Sequence, residues 1–188
     1  SNTSGADMAM FGMGIAIADI NADGYFDFFV TNLGDNRLLT SNADGASFSD
    51  KAADAGVAVG TFRRQQRASW GAVFFDYDND GWLDLFVAAY EARVDDVAAD
   101  YLGLPHKGVS PCLYRNDGGR FKNVAEDAGV VDHGSGMSVS WADYNRDGWM
   151  DMYVANMWSS AGGRITFQPQ FQPGYDRSTK AMVQRLAR

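Results

Sequence analysis

Three stretches of this chain place oxygen-bearing side chains at one shared spacing. They are Asp19-Ile20-Asn21-Ala22-Asp23-Gly24-Tyr25-Phe26-Asp27, Asp76-Tyr77-Asp78-Asn79-Asp80-Gly81-Trp82-Leu83-Asp84 and Asp143-Tyr144-Asn145-Arg146-Asp147-Gly148-Trp149-Met150-Asp151. In each, a carboxylate or amide stands at positions 1, 3, 5 and 9, with glycine at 6 and an aromatic at 7. A hard cation such as Ca²⁺ takes six to eight oxygens at about 2.3–2.6 Å. Four side chains and the position-7 carbonyl approach that number within one short loop, and glycine permits the sharp bend that turns them inward. Asp and Gly make turns without any metal. That accounts for one stretch, but not for three with the same nine-residue spacing.

The flanking residues decide what carries these loops. Short apolar runs precede them (Gly14–Ala18, Ala72–Phe75, Met137–Trp141) and follow them (Phe28–Val30, Leu85–Val87, Met152–Val154). Apolar runs rich in β-branched and aromatic residues, joined by a glycine turn, read as two strands of a hairpin. The helical calcium loop needs a bidentate Glu at its twelfth position, where this chain has Val30, Val87 and Val154.

A larger unit surrounds each loop. After the first come Arg37–Thr40, an Asp44-Gly45 turn signal, Phe48 and the closing Ala52–Val57. The second unit repeats the order with Leu113–Arg115, Asp117-Gly118, Phe121 and Val124–Val130, after an insertion at 91–111. Successive loops lie 57 and 67 residues apart. Four short strands at such a period indicate propeller blades. The reading is all-β: a partial β-propeller of about two and a half four-stranded antiparallel blades with a short C-terminal helix. Blade 1 spans 9–60, blade 2 spans 67–131, and an incomplete blade 3 spans 135–158. An irregular segment follows in 159–188, ending in a helix over Asp176–Arg188 with Ser178 as its cap. The strands carry apolar residues on both faces, as in stacked blades. A fragment of this kind leaves apolar faces without a neighbour, so self-association or modest stability is expected.

Composition narrows the function. The 188 residues carry 24 acidic and 16 basic side chains, a formal charge of −8, which argues against nucleic acid or an anionic membrane surface as partner. The three loops hold three, four and three of the acidic residues, so metal binding would relieve much of the charge. No apolar run is long enough to span a membrane, and no signal peptide is recognisable. Cys112 is alone, which rules out an internal disulfide framework, and its apolar surroundings suit a buried small hydrophobe.

These residues resemble FG-GAP, or VCBS-type, repeats, found in integrin α-subunit propellers and many bacterial secreted proteins. The three nonamers carry the likeness, with Phe11-Gly12 and Trp70-Gly71-Ala72 ahead of them. More narrowly, 140–166 is similar to bacterial cartilage-acidic-protein-like, ASPIC/UnbV-associated chains. The resemblance implies a Ca²⁺-loaded propeller, usually exported and therefore extracellular or in the cell envelope or periplasm. It implies up to three ions. The side-chain ligands would be Asp19, Asn21, Asp23 and Asp27; Asp76, Asp78, Asp80 and Asp84; and Asp143, Asn145, Asp147 and Asp151. Tyr25, Trp82 and Trp149 would offer backbone carbonyls. The four-carboxylate Asp76 loop is expected to bind tightest.

Two functions follow. The first is a structural and recognition module without catalysis, contacting an unidentified protein or glycan and the remaining blades of a parent chain, with the 91–111 insertion as the most individual loop. The second is part of a propeller-fold sugar-processing enzyme of lyase or dehydratase type. That would need a general base and a cation-held substrate group, with His106, Arg63, Arg64 or Tyr101 converging on an open metal position. Neither His106 nor His133 has the spacing of a triad or zinc site, so both read as surface histidines. Trp70, Trp82, Trp141 and Trp149 read as packing residues, and Trp158 as a surface contact.

Overall fold

The computed structural model describes residues 4–58, 68–90, 96, 99 and 102–157. Its ten strands form three antiparallel sheets. Sheet 1 comprises β1 (Gly12–Ala18), β2 (Asp27–Asn32), β3 (Arg37–Ser41) and β4 (Phe48–Asp50), in that order. Sheet 2 repeats the order with β5 (Ala68–Phe75), β6 (Asp84–Tyr90), β7 (Cys112–Asn116) and β8 (Phe121–Asn123). Sheet 3 pairs β9 (Gly136–Ala142) with β10 (Asp151–Asn156). Each acidic nonamer joins the first two strands of its sheet, with Ala18 opposite Asp27, Phe75 opposite Asp84 and Ala142 opposite Asp151. Arg63, Arg64, Tyr101, Trp158 and the expected C-terminal helix lie outside the described residues.

One short helix, α1 (Ala52–Ala55), was not expected from the sequence. It falls on the closing segment of the first unit, where small residues let Ala52 and Ala55 bury against the sheet. Gly56, at φ 81°, ends it by donating its N–H to the Ala52 and Ala53 carbonyls.

The sheets stack face to face, and the stacking repeats. Sheet 1 presents Ala16, Ala18, Phe29 and Leu38 to Ala72, Phe74, Leu85 and Val87 of sheet 2. Sheet 2 presents Val73, Phe75, Phe86 and Leu113 from its other face to Val139, Trp141, Met152 and Val154 of sheet 3. The second set of contacts uses the positions of the first, moved on by one unit. Phe29 meets Phe74 edge-on at 6.5 Å, and Trp141 stacks on Phe75 with ring centroids 3.5 Å apart. Trp141 is therefore a packing residue, and Cys112 is buried between sheets 1 and 2.

The outermost faces differ. On β1, Ile15 is 62% and Ile17 is 56% exposed, although the equivalent Ala72 and Phe74 lie in the core. At the other end, Tyr153 is 72% exposed and borders a groove of about 460 Å³ with Ser140 and Ala142. Apolar stripes of this kind favour association. Light scattering is expected to show concentration-dependent self-association that Ile17→Glu reduces; a monodisperse monomer at high concentration would contradict it.

The first strands of neighbouring sheets approach closely at two equivalent glycines. A Cβ on Gly14 would collide with the Trp70 carbonyl oxygen, and one on Gly71 would lie 2.9 Å from Ser138 Cα. Gly12 faces only ordinary contacts, the nearest being Val30 Cγ1 at 3.5 Å. Overpacking a rigid backbone seam costs about 1–3 kcal/mol. Gly14→Ala and Gly71→Ala should each lose that much in denaturant unfolding, with Gly12→Ala close to neutral. Three equal values would remove the seam argument.

Candidate metal centre

The three loops share one backbone path. Positions 4 and 6 adopt the left-handed conformation: Ala22, Asn79 and Arg146 at φ 56–62°, and Gly24, Gly81 and Gly148 at φ 89–92°. Nothing lies within 4 Å of a Cβ built on those glycines, so backbone conformation, not space, selects glycine there. Position 4 was not singled out in the sequence. A left-handed residue with a Cβ costs roughly 1–2 kcal/mol, and asparagine, as at position 79, tolerates it best.

Side chains hold that path. The position-1 carboxylate takes two backbone N–H groups with its two oxygens. Asp19 accepts from Asp23 and Gly24 at 3.1 and 2.9 Å, Asp76 from Asp80 and Gly81 at 3.1 and 2.9 Å, and Asp143 from Asp147 and Gly148 at 3.0 Å each. The position-5 carboxylate then accepts the N–H of position 7, from Tyr25, Trp82 or Trp149, at 2.8–2.9 Å. In sheets 1 and 2 the position-7 ring covers the later turn of its sheet. A Cβ on Gly45 would meet the Tyr25 ring at 2.7 Å, and one on Gly118 would meet Trp82 at 3.8 Å.

The ninth residue does more than the spacing suggested. Asp27 and Asp84 are fully buried. Asp27 accepts the Ile20 N–H at 3.1 Å and the Ser41 N–H at 2.8 Å. Asp84 accepts the Tyr77 N–H at 2.9 Å and the Asn116 N–H at 2.8 Å. Each thus ties the loop to the end of the third strand. Asp151, half-buried, keeps the loop contact alone of these two, to the Tyr144 N–H at 3.1 Å.

Position 3 separates the loops. The Asn21 amide nitrogen donates to Asp23 at 2.9 Å, and that of Asn145 to Asp147 at 2.9 Å. The second loop has Asp78 there, a group with no N–H to give. Asp76, Asp78 and Asp84 each bring an oxygen within 4.8 Å of the others, and among the described residues no other trio of His, Cys, Asp or Glu does so. Asp78 Oδ1 is buried and has no hydrogen-bond partner. Ionised pairs that close repel by roughly 3 kcal/mol each at an effective dielectric of about 20. An orphaned buried carboxylate oxygen in a cluster of its own kind is what a hard cation satisfies, so the donor set fits one.

A scan against family models matches residues 19–87 and 95–154 to the FG-GAP-like repeat. This chain belongs to the FG-GAP-like repeat family. No curated protein matches the chain. The two matched FG-GAP repeats take in all three acidic loops, and FG-GAP repeat domains are generally structural rather than catalytic. Among the described residues no helix is long and apolar enough to cross a membrane.

The histidines, read as separate surface residues, meet. His106 and His133 rings pack edge to face with centroids 4.4 Å apart, and Ser110 Oγ lies 2.8 Å from His133 Nε2. Their 27-residue separation gave no sequence signal. The contact ties the end of the insertion to the segment that enters sheet 3.

Burial raises the Asp84 carboxyl from the ordinary 3.8 to about 6, against the lowering effect of the Asn116 and Tyr77 N–H groups and with the help of the Asp78 and Asp80 charges. Asp27 is raised for the same leading reason. A carboxyl raised in the fold binds its proton more tightly there than in the unfolded chain. In chelator, stability should therefore fall as pH rises from 3.8 to about 6 and level off above. Melting curves across that window test the sign, and carbon-detected NMR titration of the Asp84 carboxyl tests the site. A melting temperature that climbs through the window would refute it.

Proposed function

We propose that this chain is a Ca²⁺-binding FG-GAP propeller module, a scaffold and recognition surface of an exported protein rather than a catalyst. The observation that carries the reading is the Asp76–Asp78–Asp84 trio with its orphaned Asp78 oxygen. Residues 9–60 and 67–131 form blades 1 and 2, and 135–158 belong to a third. The ligand sets are Asp19, Asn21, Asp23 and Asp27; Asp76, Asp78, Asp80 and Asp84; and Asp143, Asn145, Asp147 and Asp151. The carbonyls of Tyr25, Trp82 and Trp149 complete them. A bound ion supplies positive charge and a cross-link between two strands. The chain's own part is to hold the loop open to it: positions 1 and 5 fix the backbone, and in loops 1 and 2 position 9 fastens it to the third strand.

The loops differ in how much they need the ion. Asn21 and Asn145 give loops 1 and 3 an internal donor that steadies them without metal, whereas the Asp76 loop has carboxylates at all four of positions 1, 3, 5 and 9. It is the tightest site and the one most disturbed by chelation. Sites of extracellular type bind at about 10⁻⁴–10⁻³ M. At millimolar Ca²⁺ each contributes roughly 1 kcal/mol. That range suits a protein outside the cell, extracellular or in the envelope, and the partner would be a protein or glycan contacting the 91–111 insertion or the rim loops. The narrower likeness to ASPIC/UnbV-associated chains agrees with this setting.

Calorimetric titration of the chelated protein is expected to reveal up to three Ca²⁺ sites. Asp19→Ala, Asp76→Ala and Asp143→Ala should each remove one. Chelator should lower the melting temperature by about 2–4 °C per site lost. Stoichiometry that stays the same in all three variants would reject the assignment.

A further inference from the structure

The first two acidic loops are joined through one buried side chain, Asn116, at the end of β7. Its backbone N–H donates to Asp84 Oδ1 at 2.8 Å. Its amide nitrogen donates to the Leu83 carbonyl at 3.0 Å, beside Asp84, and to the Ile20 carbonyl at 3.1 Å, across the interface in loop 1. Its amide oxygen accepts the Gly119 N–H at 2.7 Å, which fixes the orientation of the group. Ile20 lies between Asp19 and Asn21, and its own N–H donates to Asp27 at 3.1 Å. A continuous path therefore runs from Asp84 through Asn116 and Ile20 to Asp27. Ile20 is 2% exposed and the other three are fully buried.

The equivalent position in sheet 1 makes the backbone bond without this reach. Leu39 faces Phe28 as Tyr114 faces Leu85, so Ser41 stands where Asn116 stands. Ser41 makes the same backbone bond, to Asp27 Oδ1 at 2.8 Å. Its hydroxyl reaches only the neighbouring Asn42 carbonyl, at 3.3 Å. The backbone bond at this position belongs to the loop of its own sheet. The amide of Asn116 is an addition that grips the loop of the preceding sheet.

We propose that Asn116 couples the metal sites of loops 1 and 2, so that filling either one strengthens binding at the other. This rests on the calcium reading above. An ion in loop 2 holds Asp84 and Leu83 still, which holds the amide of Asn116. That amide fixes the peptide between the first two ligand positions of loop 1, so less ordering remains when loop 1 binds. The effect is reciprocal by linkage, and about fivefold in affinity is the lower end of such couplings. Asn116 touches no ion in this scheme; it is a positioning residue.

The test is a double-mutant cycle read by Ca²⁺ calorimetry in an Asp143→Ala background, which leaves loops 1 and 2. Asp76→Ala silences loop 2, and the affinity of loop 1 is measured with and without it. The pair is then repeated with Asn116→Ser, the residue that sheet 1 uses at this place. Losing loop 2 should weaken loop 1 about fivefold with Asn116 present and by less than about twofold with serine. Equal weakening in both, or none in either, overturns the coupling while leaving the calcium reading intact. Failure of Asp19→Ala and Asp76→Ala to remove any site overturns the calcium reading first. Should Asn116→Ser not fold, amide exchange in the otherwise unaltered chain decides: Asp76→Ala must speed exchange at Asp23 and Gly24 in Ca²⁺, and unchanged rates there reject the proposal.

Discussion

A buried carboxylate must find donors or lose its charge, and much of this fold is arranged around two of them. Asp27 and Asp84 lie at the base of their loops with no exposure to water. Each is surrounded by apolar strands that would drive it to the neutral form if left alone. Each offers one oxygen to the second residue of its own loop and the other to the end of the third strand. Those bonds do not fully offset burial, since both groups remain raised. The residual imbalance belongs to the site. A hairpin built only for stability could place an apolar residue here.

The three loops then show how one backbone accommodates different amounts of charge. Twelve of their hydrogen bonds, four in each copy, recur in kind: position 1 to the N–H groups of 5 and 6, position 5 to that of 7, and position 9 to that of 2. The variable is position 3. With asparagine, the amide donates to the acid two residues on and the loop closes upon itself. With Asp78 the acceptor count rises, no donor replaces the lost amide, and one oxygen is left buried without a partner. A single change of N–H for O thus replaces an internal donor with a further acceptor and adds a fourth negative charge to the loop.

The hairpins, their strands and the repeat were legible because each rests on a local signal. Oxygen spacing, the glycine bend and flanking apolar runs all sit within about twenty residues, and Val30, Val87 and Val154 excluded the helical loop. What was not legible depends on the third dimension. Asp27 looked like one ligand among four; its bond to Ser41 exists only because β3 folds back beside β2. The left-handed Ala22 and Arg146 carry no side-chain signal of their conformation. The pairing of His106 with His133 joins residues that belong to different segments. Trp82 and Trp149 read as packing residues in the sequence, but they are 37% and 56% exposed, outside either core cluster.

The stacking of the sheets makes the same point from the other side. Equivalent positions on successive sheets need not carry similar residues, provided the two facing sets remain complementary. Ala16 and Ala18 leave room for the edge of Phe74, while Val73 and Phe75 meet the broad Trp141 ring in a stacked arrangement. One seam sets small residues against large ones, and the next sets flat ring against flat ring. Gly14 and Gly71 set how near the first strands come, and the side chains fill what remains. The exposed Ile15 and Ile17 then become intelligible: they occupy the positions that in sheets 2 and 3 receive a neighbour, and they keep the apolar character of a buried face.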